Sequence, residues 1–161
     1  MEENRQEVFF MDHSIVAGEL FLGGCNCAQA VFLAFSDVTG VDRKLAGRLS
    51  SPFGGGMGRM REVCGAVSGM FMVLGVLYGY EENAQDDAHK KQLYRDVQAL
   101  AGKFREECGS IICREILKNP PSDPNPTPRT AEFYAQRPCA RMVMTAARLL
   151  DEFIAEHPIA E

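Results

Sequence analysis

Apolar residues recur along most of this chain at the three-and-four spacing of helices, and no useful stretch alternates with the period of two that a half-buried strand requires. Phe9, Val16 and Leu20 share one helical face, and Gly23 with Gly24 ends that helix as a C-terminal cap. Asn26 suits the cap of a second helix, which presents Ala28, Val31, Phe32 and Phe35 and is closed by Gly40. Asp42 caps a short third helix over 43–49. Residues 51–60, Ser-Pro-Phe-Gly-Gly-Gly-Met-Gly-Arg-Met, hold too much glycine and proline for regular helix and read as a loop. It leads into an apolar fourth helix starting near Glu62. A fifth helix, 85–107, places Leu93, Val97, Leu100 and Phe104 on one face and its charges on the other. Gly109 and Ser110 break and recap the chain before a short sixth helix at 111–117. Five of the eight prolines fall within 119–128, an extended surface connection. The last helix starts near Pro138, a residue suited to a first turn, and carries Val143, Ala147, Leu150 and Ile154. The expected fold is all-α: one compact helical domain over 1–161, of about six to seven helices, with a buried central helix that contains glycines.

The stretch 63–80 is the one challenge to a soluble protein. Its 18 uncharged residues approach a membrane span. Yet Gly65, Gly69, Gly75, Gly79, Ser68 and Cys64 leave it only moderately apolar, and no second candidate span exists. It reads as a helix buried within its own protein. A length of 161 residues suits one domain with a real core. With 46% apolar and 24% charged residues, the chain is neither a disordered tail nor a collagen-like repeat. Its 17 Lys and Arg against 22 Asp and Glu leave a charge of −5, which argues against nucleic-acid binding. The opening Met-Glu-Glu-Asn-Arg-Gln-Glu lacks the basic start and apolar run of a secretory signal, so a cytoplasmic location is expected. In that compartment six cysteines serve metals, redox chemistry or packing more often than permanent disulfides.

Four of the six cysteines fall in the first turns of four different expected helices. Cys27 follows the cap Asn26, Cys64 opens the central helix, Cys113 lies three residues after Ser110, and Cys139 follows Pro138. A helix start offers free N–H groups and a partial positive charge, which lower a thiol's pKa and favour a nucleophile or metal ligand. Arg59 and Arg61, just upstream, give Cys64 further help. The bland alternative is that each cysteine is a small buried hydrophobe. That is the preferred reading for Cys25 and for Cys108, which ends a helix where a thiolate gains nothing.

Gly54, Gly55, Gly56, Gly58 and Arg59 have two readings. Their backbone N–H groups suit an anion or cofactor, or the glycines simply let the chain pass close to the cysteines. The segment lacks the Lys-Ser/Thr of a nucleotide loop and follows no strand. Gly65 and Gly69, one turn apart, suit close helix contact, with a flat cofactor on that face as the weaker reading. His13 borders an apolar face and is expected to be partly buried rather than a ligand; His89 and His157 read as solvated surface. Met57, Met60, Met70, Met72, Met142 and Met144 read as core filler, with a functional methionine face as the weaker alternative. No Cys-x-x-Cys or Cys-x-x-Cys-His is present, which removes thioredoxin, zinc-ribbon and covalent c-type haem signatures.

Taken in order, Asn26-Cys27-Ala28-Gln29-Ala30-Val31, Phe53-Gly54-Gly55-Gly56-Met57-Gly58, Cys64-Gly65-Ala66-Val67-Ser68-Gly69, Gly109-Ser110-Ile111-Ile112-Cys113 and Cys139 resemble the redox-active family named for its C-GCAxxG-C-C cysteine pattern. The resemblance runs from the first helix to the last. It implies a small helical protein whose signature cysteines are Cys27, Cys64, Cys113 and Cys139. Some members are selenoproteins, which implies that a thiol position can do nucleophilic or redox chemistry. Cys25 and Cys108 lie outside the pattern.

Three functions are carried forward. In the first, Cys64 attacks as a thiolate and Cys27, Cys113 or Cys139 resolves it, giving a thiol–disulfide or electron-transfer protein that works with a redox partner or small molecule. In the second, Cys27, Cys64, Cys113 and Cys139 hold zinc or an iron–sulfur cluster, a non-covalent haem being a weaker variant. Their separations of 37, 49 and 26 positions are unusually dispersed for such a ligand set. In the third, the cysteines are structural and the chain is an interaction module. The glycine-rich helix would suit a homodimer.

Overall fold

Side-chain caps start most of the helices. In the computed structural model, which describes residues 11–159, the Asp12 carboxylate accepts from the N–H of Ser14 and Ile15 at the head of α1 (His13–Leu22). Phe9, expected on this face, lies outside the described residues. Asn26 heads α2 (Cys27–Ala34) in a reciprocal box with Gln29, each side chain accepting from the other's backbone N–H. The chain bends at Phe35, so Gly40, left-handed at φ 66°, closes a separate turn, α3 (Ser36–Thr39). Asp42 caps α4 (Arg43–Ser50) as expected.

α5 (Gly65–Tyr78) starts three residues later than the sequence suggests, and α6 (Asp87–Cys108) is capped by Asp86. The sixth expected helix is a single turn, α7 (Cys113–Ile116). A further short helix, α8 (Ala131–Gln136), was not expected. Thr130 caps it between the proline-rich connection and Pro138, and six residues are too few to display a periodicity. α9 (Cys139–Glu156) buries Val143, Ala147 and Leu150, with Ile154 half-buried. The described residues hold no strand, only one isolated bridge, so the fold is all-α.

α2 is the most enclosed element, packing against α1, α4, α5 and α9. Its alanines make that possible: Ala28, Ala30 and Ala34 are buried and leave little side chain between neighbouring backbones. Gly69 does the same from α5, since a Cβ there would lie 2.7 Å from the Ala28 carbonyl oxygen. The face of Gly65 and Gly69 is thus filled by α2, and a flat cofactor has no room on it. α5 is buried from Gly65 to Met70, while Gly75 and Val76 are exposed. Among the described residues, no helix is long and apolar enough to cross a membrane.

The methionines divide. Met70 and Met142 are core residues, but Met60 is 62% exposed on the turn before α5, which corrects its reading as core filler. Met144 is partly exposed and closes over Gly18. His13 is more buried than expected, at 6% exposure, and stacks on Phe35 with ring centroids 4.1 Å apart. Its Nδ1 lies 2.5 Å from Asp151 of α9 and its Nε2 lies 2.9 Å from Asp37 of α3, tying three helices together. His89 and His157 are exposed, as expected.

Candidate functional site

Backbone pairing brings two of the cysteines side by side. Residues 61–64 run antiparallel to 111–114, with the Cys64 N–H donating to Ile111 at 2.7 Å and the Cys113 N–H donating to Glu62 at 2.6 Å. This pairing keeps the chain out of helix through Val63, delays α5 to Gly65, and makes Cys64 its cap residue. Cys113 becomes the first residue of α7. Ser110, expected as the cap there, instead accepts from the Ile112 N–H and donates to Glu115, fixing the turn. Cys27 and Cys139 are the first residues of α2 and α9.

The glycine segment wraps these sulfurs. Gly55 and Gly56 are left-handed, at φ 69° and 70°, inside what would otherwise be a helical turn. A Cβ on Gly56 would lie 2.5 Å from the Cβ of Cys113, so only glycine lets the chain pass. Met57, Arg59 and Arg61 are also left-handed, a conformation costing about 1 kcal/mol or more each for residues with a Cβ. Such concentrated strain marks a segment shaped by the site it encloses.

All four signature cysteines line one cavity of about 30 Å³, roughly the room for a single water. Cys64 and Cys113 lie at its inner side, each 6% exposed. Cys27 and Cys139 are half-buried and also face an outer pocket of about 340 Å³. Gly54, Gly55, Gly58, Arg59 and Arg61 line that outer pocket; Gly55, Gly56 and Arg61 line the inner cavity. Cys25 and Cys108 line neither and pack against the hydrophobic core.

The thiols differ in protonation. The neighbouring Cys139 thiol pushes the Cys27 pKa well up, and burial adds to the effect. The Cys27 thiol beside it pulls Cys139 down to about 7 against the cost of burial, assisted by the charges of Arg137, Arg129 and Arg61. Burial pushes Cys64 up to about 12, outweighing the Ala66 and Val67 N–H groups directed at its sulfur. Cys113 is raised by burial, although Arg61 Nη1 lies 3.7 Å from its sulfur and works the other way. Arg61 therefore serves Cys113, and Arg59 reaches out to the Asp123 carbonyl and Thr127. Neither arginine gives Cys64 the help expected from chain proximity.

Arg129 and Arg137 were missed on sequence. Arg137 stands two residues before Cys139, the same kind of signal that was read at Arg59 and Arg61. Arg129 offers none, being ten residues away in a proline-rich connection. Among the described residues, no three His, Cys, Asp or Glu side chains are grouped as a metal site requires.

A family model described as "Putative redox-active protein (C_GCAxxG_C_C)" matches residues 25–153. Neither the curated proteins nor the solved structures gave a match to the chain.

Proposed function

The chain belongs to the C-GCAxxG-C-C family of redox-active proteins, and from that premise we propose that its Cys27–Cys139 pair performs thiol–disulfide exchange. The observation that carries this reading is the placing of Cys27 and Cys139 together at two helix starts on the wall of the outer pocket. Cys139 is drawn down to about 7 by Cys27, at the start of α9 and facing an open pocket. A thiol with a pKa near the ambient pH is the most effective attacking nucleophile, because it is substantially ionised without losing reactivity.

The Cys139 thiolate attacks one sulfur of an incoming disulfide. The substrate S–S bond breaks and its electron pair leaves on the departing thiolate. Cys27 then gives up its proton to solvent and attacks the Cys139 sulfur of the mixed disulfide, expelling the second substrate thiolate. The protein, which enters as one thiolate and one thiol, gives two electrons to the substrate and one proton to solvent, and the substrate leaves as two thiolates that take protons from solvent according to their own pKa. Cys64 and Cys113 stay protonated and take no part in the first step. Gly54, Gly55, Gly58 and Arg59 shape the entrance.

Oxidising the protein with one equivalent of a small disulfide and mapping peptides by mass spectrometry tests this. The expected product is a Cys27–Cys139 disulfide with Cys64 and Cys113 still free. A first disulfide that joins Cys64 to Cys113, or none within the cavity, overturns the reading.

A further inference from the structure

We propose that the outer pocket holds the oxyanion group of a small-molecule disulfide substrate, with Arg59, Arg61, Arg129 and Arg137 as its binding wall. The proposal rests on the exchange reading above and adds the substrate class. Four arginines from three separate segments line this pocket, and no Asp or Glu does. In a chain of net charge −5, such a concentration is contrary to composition.

Three of these arginines, Arg61, Arg129 and Arg137, have no carboxylate within salt-bridge distance among the described residues. Arg61 is 4% exposed; its Nε donates to the Pro121 carbonyl and its Nη1 to the Cys113 sulfur, but its buried Nη2 has no partner. A buried guanidinium N–H left unpaired is unfavourable, and an incoming oxyanion supplies the missing acceptor. Arg129 donates to the carbonyls of Phe21 and Cys25 and to the Tyr134 hydroxyl. Arg137 lies over the Phe133 ring at 5.4 Å. Among the described residues, only Arg59 of the four has a carboxylate within salt-bridge distance, Asp123 at 3.9 Å.

Size narrows the ligand further. A volume of about 340 Å³ is at the lower end of small-molecule sites. Cys27 and Cys139 form part of its wall and are half-buried, which favours a small disulfide over one carried on a folded protein. Phe21 and Phe133 supply an apolar side for the body of the ligand, while the guanidinium groups fix its carboxylate or phosphate. One oxyanion group on the arginines places the S–S bond beside Cys139.

The test compares an anionic disulfide, 5,5′-dithiobis(2-nitrobenzoate), with a neutral one, 4,4′-dithiodipyridine, each rate taken relative to that of free 2-mercaptoethanol. The expected preference for the anion is about tenfold, falling with salt. Arg137→Gln slows both reagents by raising the Cys139 pKa, but it also cuts the anion preference severalfold, and Arg137→Lys retains it. A preference no greater than that of 2-mercaptoethanol, unchanged in Arg137→Gln while the neutral disulfide still forms Cys27–Cys139, overturns the anion site and leaves exchange standing. If neither reagent engages Cys139, the exchange reading fails. Calorimetric titration of 4-nitrobenzoate into Cys139→Ser then decides the site alone: saturable binding weakened by Arg137→Gln supports it, and no binding overturns it.

Discussion

Replacing Cys139 with Ser is expected to slow the first exchange step by about fiftyfold at pH 7 and to abolish two-electron cycling. The magnitude follows from ionisation. A thiol at about 7 is roughly half thiolate at that pH, whereas Cys27, Cys64 and Cys113 are all raised above the ordinary 9.0 and hold about 1% thiolate or less. In this variant Cys27 faces a serine hydroxyl in place of the thiolate, and burial still disfavours its charge. Cys27→Ser has a different signature. A serine hydroxyl can still donate toward Cys139, so attack proceeds, but nothing resolves the product. The mixed disulfide accumulates and only one substrate thiol is released per chain. Stopped-flow release of a coloured thiol, followed by intact mass, reads both variants. Two thiols released from Cys27→Ser would contradict the assignment.

His13→Ala is expected to destabilise the fold by about 2 kcal/mol near pH 6, because it removes a buried ring and leaves Asp37 and Asp151 without their shared partner. Both carboxylates are partly exposed, which keeps the effect below that of a fully buried pair. The pH dependence has a definite sign. Burial disfavours the imidazolium, but the hydrogen bonds of Asp151 and Asp37 outweigh it and raise the His13 pKa above 6.5. The folded state therefore binds the proton more tightly than the unfolded chain. This stabilisation is fully present below about pH 6.5 and is lost as the pH rises through the raised value. Urea unfolding of wild type and His13→Gln should show a stability gap that narrows from pH 6 to about pH 9. A gap that widens with pH would contradict the charged assignment.

What could be read in the sequence was local chemistry. Asn26, Asp42 and Gly40 act where they stand, as caps, because each works through the backbone of its own turn. Placing Cys27, Cys64, Cys113 and Cys139 at helix starts needed no more than this, and they do line one cavity. What escaped depends on distant partners. The pairing of 61–64 with 111–114 joins segments about fifty residues apart and moves the start of α5. Helix position and nearby arginines point along the chain to Cys64 as the attacking thiolate, whereas the burial that dominates its ionisation is set by distant packing. Likewise Arg129 enters the site only through the fold of the proline-rich connection.

The central claim is that Cys139, held as a thiolate by Cys27, is the reactive group. Substoichiometric iodoacetamide, applied across about pH 5 to 10 with the labelled peptide identified at each point, tests it most directly. The expected result is early labelling at Cys139, with a rate that rises to half its plateau near pH 7. First labelling at Cys64, or a Cys139 rate that climbs only above about pH 9, would contradict it.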